Sequence, residues 1–234
     1  MTTYGRDVLH QTAADVIAIL KTIPEFRDSK IAVIGGLALW KYISKGRTTE
    51  VYRINFPLHF TNGPRPTGRA TAGKEVNTAL QDVDFIVNID SAPHGVKNRL
   101  LALENSPFVQ IAQTFFYQGL NGRRVQVDVT HRDSSPYLPE AAIKIKDVPQ
   151  GEVPYISILD LIVFKIFSCG MRAQAQKRLL DASDAETLVL YQIEDEGSGI
   201  KLSAKQKEMV EPYIVDVVEN GKKTEKWWRE NLGL

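Results

Sequence analysis

Three aspartates stand at spacings that could hold metal ions. Asp82 and Asp84 lie two residues apart in "DVDFIVNI" (82–89), whose pattern predicts a strand, so both side chains leave the same face. In "RRVQVDVTH" (123–131), Asp128 lies on the face opposite the three valines. If these strands are neighbours, three carboxylates converge, and their mutual repulsion raises their pKa values. A divalent cation such as Mg²⁺ relieves that repulsion, and a pair of such ions assists displacement at phosphorus.

A double glycine could place a phosphate near these carboxylates. Gly35 and Gly36 close the apolar strand predicted for "KIAVIGG" (30–36) and precede the helix predicted for "LALWKYIS" (37–44). Backbone N–H groups at a helix start bind phosphate oxygens, and glycine lets a ligand approach the backbone closely. Each pattern also has a simpler explanation. The D-x-D pair could be a solvated strand face, and the glycines could form only a turn.

The elements that would carry these residues divide the chain into two parts. Before residue 150, the periodicity predicts helices at 7–22, 37–44 and 93–104 and strands at 30–36, 82–89, 108–118 and 123–131, the last two joined by a hairpin around "GLNG". From about residue 155, the pattern is helical at 155–169, 171–193, 203–218 and 223–231. "DVPQGEVP" near residue 150 is a plausible linker. We therefore expect an αβ domain over 1–150 and a helical domain over 151–234.

The amino-acid composition limits the kinds of molecule and compartment that we expect for this protein. The chain has 29 basic and 28 acidic residues, which argues against a large electrostatic footprint on duplex nucleic acid, although a tRNA end remains possible. Cys169 is the only cysteine, which is typical of a protein from a reducing compartment. Neither a secretory signal nor an apolar run long enough to span a membrane is present. We therefore expect a cytoplasmic protein that does not enter a membrane; the pattern does not indicate its oligomeric state.

The order of these motifs resembles the nucleotidyltransferase superfamily, which has the DNA polymerase β-like fold. The segments "VIGGLALWKY", "GRTTE", "DVDFIV" and "VQVDVT" look most like abortive-infection-type toxin nucleotidyltransferases and their uncharacterised fungal relatives. "LDLIVFKIFSCGMR" and "KRLLDASDAETL" resemble the helical segment of that group. The resemblance implies an α+β fold with a small mixed β-sheet flanked by helices and followed by a helical C-terminal part.

The same resemblance implies roles for individual residues. The catalytic, metal-binding carboxylates would be Asp82, Asp84 and Asp128, with two Mg²⁺ or Mn²⁺ ions. The nucleotide-binding residues would be Gly35, Gly36, Arg47, Thr48, Lys165, Lys177 and Asp181. Arg47 and Thr48 match the R-x-T position of the family only loosely.

The cationic residues of the helical part have alternatives. Lys165 shares a helix face with apolar residues, so it could either extend its ammonium group to solvent or bind a triphosphate. Lys177, Asp181 and Asp184 share a helix face and could form an ordinary surface ion pair instead of lining a pocket.

The function implied by the resemblance is metal-dependent transfer of a nucleoside monophosphate. The donor would be an NTP such as ATP, the acceptor an unidentified hydroxyl group, and the second product pyrophosphate. One alternative is an inactive nucleotide-binding or scaffold relative with the same fold. Another is a kinase-like phosphotransferase that uses the same site.

Residues 51–81 interrupt the resemblance. Removing them joins "GRTTE" to "DVDFIV", which is the junction expected from the relatives. The segment begins with Val51, whose codons start with GT, and ends with Gln81, which has the codon CAG. We therefore interpret the segment as a retained intron of a eukaryotic gene, and we expect that gene to be fungal. The alternative is a genuine lid or lineage-specific insertion, which we would expect to be disordered at the edge of the active site.

Overall fold

A computed structural model of the chain describes residues 5–43, 82–119, 122–197 and 200–234. The segment 51–81 and the residues Arg47 and Thr48 therefore lie outside the described residues. The described part contains eight α-helices and six β-strands. The helices are α1 (Arg6–Thr22), α2 (Gly35–Tyr42), α3 (His94–Leu101), α4 (Ile158–Met171), α5 (Ala175–Glu196), α6 (Ala204–Val210), α7 (Ile214–Asn220) and α8 (Glu225–Leu232). The strands are β1 (Lys30–Ile34), β2 (Asp82–Val87), β3 (Phe108–Ile111), β4 (Thr114–Gln118), β5 (Arg124–His131) and β6 (Ile143–Lys144).

The strands form one mixed sheet in the order β3-β4-β5-β2-β1-β6. β2 and β5 pair in parallel at its centre, and the other neighbours are antiparallel. The predicted α+β fold with a mixed sheet flanked by helices is therefore confirmed.

Alternation along the central strands sends their side chains to two different cores. The valines of β5 and alternate residues of β2, including Phe85, pack against α1 and α3 on one side of the sheet. Ala32 of β1 and Ile86 of β2 point to the other side, where they join the apolar residues of α4, α5 and the later helices. The two aspartates of β2 and Asp128 of β5 alternate with the first set, so they lie on the side covered by the C-terminal helices.

Three local predictions were wrong. The helix expected over 203–218 is divided into α6 and α7 by a 3₁₀ turn at Glu211–Tyr213. The single strand expected over 108–118 is two strands, because a tight turn at Ala112 and Gln113 folds β3 back onto β4. Ala112 adopts a φ of 52°, and neither residue of this turn is of the types that usually announce one. The two glycines do not end β1; they are the first residues of α2.

The C-terminal helices pack closely over the sheet. Ser157 caps α4 by accepting a hydrogen bond from the N–H of Asp160. The buried carboxylate of Asp160 accepts hydrogen bonds from Tyr137 (2.7 Å) and from Gln206 of α6 (2.9 Å). These bonds fix the start of α4 and thereby the direction in which α4 crosses the sheet. Within the four described ranges, every helix is too short or too polar to traverse a bilayer.

Candidate metal and nucleotide site

The register of the central strands brings the three predicted carboxylates together. Asp84 of β2 lies directly beside Asp128 of β5, and Asp82 lies beside Gln126. One carboxylate oxygen from each aspartate lies within 4.8 Å of the other two. The convergence expected from the alternation of the two strands is therefore present.

The three carboxylates disfavour one another's ionised forms. Burial, followed by the neighbouring charges of Asp82 and Asp128, raises the pKa of Asp84 to about 7. Burial and the charge of Asp128 also raise the pKa of Asp82. Gln126 donates a hydrogen bond of 2.7 Å from Nε2 to Oδ2 of Asp128, which holds that carboxylate in one orientation.

The donor set fits a divalent cation. Three carboxylates supply the hard oxygen ligands that Mg²⁺ and Mn²⁺ prefer. A cation between them would offset the like-charge repulsion that raises the pKa of Asp84. Nearby Lys165 and Arg172 lower this pKa, but they do not offset the effects of burial and the two other carboxylates.

Gly35 is required by the geometry of the cluster. It begins α2 with a φ of +68°, a conformation that side chains rarely adopt. A Cβ atom at this position would lie 2.0 Å from Oδ2 of Asp84 and 2.7 Å from its Cγ. The carboxylate of Asp84 therefore occupies the space that any other residue at position 35 would fill. Gly36 follows as the second residue of α2.

Lys165 lies in a buried ion network between α4 and α5. Its Nζ lies 2.8 Å from both Asp181 and Asp184, and its side chain is 12% exposed. Burial lowers the pKa of Lys165, but the charges of Asp184 and Asp181 outweigh this effect and hold it above the ordinary value. The ammonium group does not extend into solvent, and Asp181 is not part of a surface pair. Lys165 therefore ties the two helices together beside the cluster.

Arg172 is a cation that the sequence motifs did not single out. Its Nε lies 3.2 Å from Oδ2 of Asp181, and its side chain is 48% exposed at the end of α4. Asp181 thus anchors Lys165 on one oxygen and Arg172 on the other. Lys177 is exposed at the start of α5, and its charge lowers the pKa of Asp82.

A cleft of about 420 Å³ joins Asp84 and Asp128 to the ion network of α4 and α5, whereas Asp82, Gly36 and Lys177 are not among its lining residues. It is lined by Gly35, Asp84, Asp128, Lys165, Arg172 and Asp181 together with side chains from α4 and from the segment after β5. That segment contributes Ser134, Ser135 and Pro136, while α4 contributes Phe164, Phe167, Ser168 and Met171. Apart from Lys165, none of these lining residues from α4 and from the segment after β5 belongs to a sequence motif that predicts a role in the site.

A wider surface hollow of about 660 Å³ lies elsewhere, between α3 and the turn at 24–26. Its polar lining includes the exposed ion pair of Arg99 and Glu25, at 2.8 Å. None of the predicted site residues reaches it. The smaller cleft beside the carboxylates is therefore the candidate site.

Comparison with known proteins finds a similarity of structure but none of sequence family. No protein-family model and no curated protein matches the chain. The crystal structure of an antigenic nucleotidyltransferase-like protein from Paracoccidioides brasiliensis has the same fold, with a TM-score of 0.54 and 15% identity. The match covers 93% of this chain and 90% of that one. The chain therefore has the fold of a nucleotidyltransferase-like protein, with three clustered carboxylates on its central strands.

Proposed function

We propose that this protein is a metal-dependent nucleotidyltransferase. It moves a nucleoside monophosphate from an NTP to a hydroxyl acceptor and releases pyrophosphate. The observation that carries the proposal is the meeting of Asp82, Asp84 and Asp128 within 4.8 Å on a sheet of this fold. A cluster that raises the pKa of its own carboxylates is suited to binding a cation rather than to stabilising the fold.

The carboxylates have the first role in the mechanism. Asp82, Asp84 and Asp128 hold one or two Mg²⁺ or Mn²⁺ ions. When bound, such ions supply positive charge that lowers the pKa of the acceptor hydroxyl and neutralises the leaving pyrophosphate. Gln126 keeps the carboxylate of Asp128 oriented through its 2.7 Å hydrogen bond.

The surrounding groups bind the nucleotide. The phosphates bind at the start of α2, where the backbone N–H groups of Gly35 and Gly36 favour negative charge. The partly exposed guanidinium group of Arg172 and the ammonium group of Lys177 attract the triphosphate. Asp181 fixes the position of Arg172 and also pairs with Lys165, so it joins the two cations beside the cluster. Positioning and electrostatics therefore account for most of the proposed catalysis.

The experiment compares two labels. The protein is incubated with Mg²⁺, candidate acceptors including tRNA and protein extracts, and ATP labelled with ³²P at either the α or the γ position. We expect the α label to be transferred to an acceptor with release of pyrophosphate, and the γ label to remain with the pyrophosphate. Transfer of the γ label would instead identify a phosphotransferase.

The matched control is Asp84→Asn, which removes one charge from the cluster at almost constant volume. Transfer should disappear in this variant. If the wild type binds NTP and Mg²⁺ by calorimetry yet releases no pyrophosphate with any acceptor, the protein is an inactive relative and the proposed reaction is wrong.

A further inference from the structure

Two apolar side chains that are partly or largely exposed line the cleft that contains the carboxylate cluster. Phe167 and Met171, one helical turn apart on α4, line the same space as Asp84 and Asp128. Met171 is 62% exposed, the largest exposed fraction among the large apolar residues in the described ranges. We call these two side chains the apolar shelf. Because Met171 is largely exposed and both side chains border the cleft of the carboxylate cluster, the shelf offers an apolar contact surface to a molecule bound there.

Tyr213 contacts both side chains of the shelf. The ring of Tyr213 meets that of Phe167 edge to face, with centroids 5.1 Å apart and an interplanar angle of 77°. The hydroxyl group of Tyr213 lies 3.8 Å from Sδ of Met171. Gly170 makes this support possible, because a Cβ atom there would lie 2.3 Å from Cδ1 of Tyr213. One tyrosine therefore supports both members of the shelf.

The shelf has a polar edge. Ser168 and Arg172 directly follow Phe167 and Met171 in the chain, and both line the cleft. A molecule that fills this corner must therefore join a flat apolar group to an anionic group over a short distance. A nucleoside triphosphate has this construction, with its base separated from its phosphates by one sugar.

We propose that the apolar shelf binds the base of the nucleotide while the phosphates extend toward Arg172 and the carboxylate cluster. This inference rests on the proposed function and adds the place and manner of base binding. Stacking on an aromatic ring contributes about 1–3 kcal/mol and accepts every base, because each base has a π face. A thioether such as that of Met171 also makes favourable contacts with aromatic rings. The protein therefore binds nucleoside triphosphates of all four bases with similar affinity.

The test measures binding by calorimetry with Mg²⁺. The ligands are non-hydrolysable analogues of ATP, GTP, CTP and UTP, and inorganic tripolyphosphate as the ligand without a base. We expect the four analogues to bind within about tenfold of one another, and each about 5–100-fold more tightly than tripolyphosphate. Phe167→Ala and Met171→Ala should remove most of this advantage while leaving the affinity for tripolyphosphate unchanged.

Two further variants serve as controls. Ile111→Ala truncates an apolar side chain of β3 that is 49% exposed outside the cleft, and it should change no affinity. Phe167→Trp keeps a stacking surface and should retain tight nucleotide binding, which separates loss of stacking from loss of folding. Met171 is exposed enough that its truncation leaves the core intact.

The possible failures are distinguishable. If the wild type binds the analogues no more tightly than tripolyphosphate, the base does not use the shelf, although the proposed reaction stands. If the shelf variants keep their nucleotide affinity but raise the KM for an acceptor, the shelf binds the acceptor and the inference is wrong. If neither the analogues nor tripolyphosphate binds with Mg²⁺, the proposed function itself fails, and the inference fails with it.

Discussion

The two faces of the central strands are built from alternate residues of the same sequence, yet they have opposite properties. Toward α1 and α3, β2 and β5 present fully buried apolar side chains such as Phe85 and Val127. Toward α4 and α5, the same strands present Asp82, Asp84 and Asp128. The first face lowers the free energy of the folded chain by removing apolar area from water. The second face brings like charges together.

The difference indicates which face of the sheet stabilises the fold and which face carries the proposed site. A pKa of about 7 for Asp84 means that the folded chain disfavours the ionised form of one of its own carboxylates. Substitutions on the two faces should therefore have opposite effects: one face controls stability with little influence on chemistry, and the other controls chemistry at the expense of stability. The following experiments test this division.

The largest effect is expected from Asp84→Asn. The variant keeps the size of the side chain but removes the charge that completes the cluster, so nucleotidyl transfer should fall by at least about a thousandfold, several kcal/mol of transition-state stabilisation. Initial rates of pyrophosphate release measure the loss, and circular dichroism checks that the fold is kept. Near wild-type turnover in this variant would exclude Asp84 from the mechanism.

A smaller loss is expected from Gln126→Leu. Leucine has a similar volume but cannot donate the 2.7 Å hydrogen bond to Asp128, so the carboxylate loses its fixed orientation. We expect the Mg²⁺ concentration at half-maximal activity to rise about 10–100-fold. Gln118→Leu, at the end of β4 away from the cluster, is the matched control. An unchanged Mg²⁺ requirement would show that Gln126 does not position Asp128.

Val127→Ala should leave activity almost unchanged. Val127 is fully buried on the apolar face, one residue from Asp128 in the chain but on the opposite side of the sheet. Its truncation should lower the free energy of unfolding by about 1–3 kcal/mol, measured by urea denaturation. If the rate per folded molecule drops as sharply as in Asp84→Asn, the two faces are not independent.

The last effect concerns the dependence of stability on pH. Because the pKa of Asp84 is raised from 3.8 to about 7, the folded chain binds more protons than the unfolded chain between these values. Without divalent cations, its contribution to stability therefore falls from pH 3.8 to about pH 7 and then levels off. At pH 8, Asp84→Asn should be more stable than the wild type by about 1–3 kcal/mol, and the gap should close near pH 4.

Added Mg²⁺ should reverse this order at pH 8. The cation stabilises the wild type by binding only the folded state, whereas the variant gains little. Thermal unfolding of both proteins with and without Mg²⁺ measures the two shifts. Equal stabilisation of wild type and variant would mean that the cation binds outside the cluster.

The carboxylate cluster could be predicted because it depends on local rules. Alternation with a period of two places Asp82 and Asp84 on one face of β2, and the same rule places Asp128 opposite the valines of β5. The pairing of the two strands is a long-range feature, and it was expected only from the order of the motifs. The turn at Ala112 escaped prediction because it contains none of the glycine, proline or asparagine signals that mark reversals.

The rest of the site depends on contacts between elements that local rules do not give. Helical spacing suggested a pair of Lys177 with Asp181, yet the structure pairs Asp181 with Lys165 and Arg172 from the preceding helix. The support of Phe167 by Tyr213 of the segment before α7 is likewise invisible in the sequence of α4. Which residues come into contact depends on the angle and position at which two helices cross. The periodicity of one helix does not specify that crossing.

The close approach at the start of α2 has a consequence for mutational tolerance. Gly151 also has a positive φ, but no atom lies within 4 Å of its missing Cβ, so asparagine or aspartate would be accepted there at modest cost. At Gly35, the backbone conformation and the neighbouring Asp84 exclude alternatives together. In a saturation scan scored for function, position 35 should therefore tolerate a single amino acid. A smaller residue at position 84 should recover part of the stability lost by a replacement at 35, without restoring catalysis.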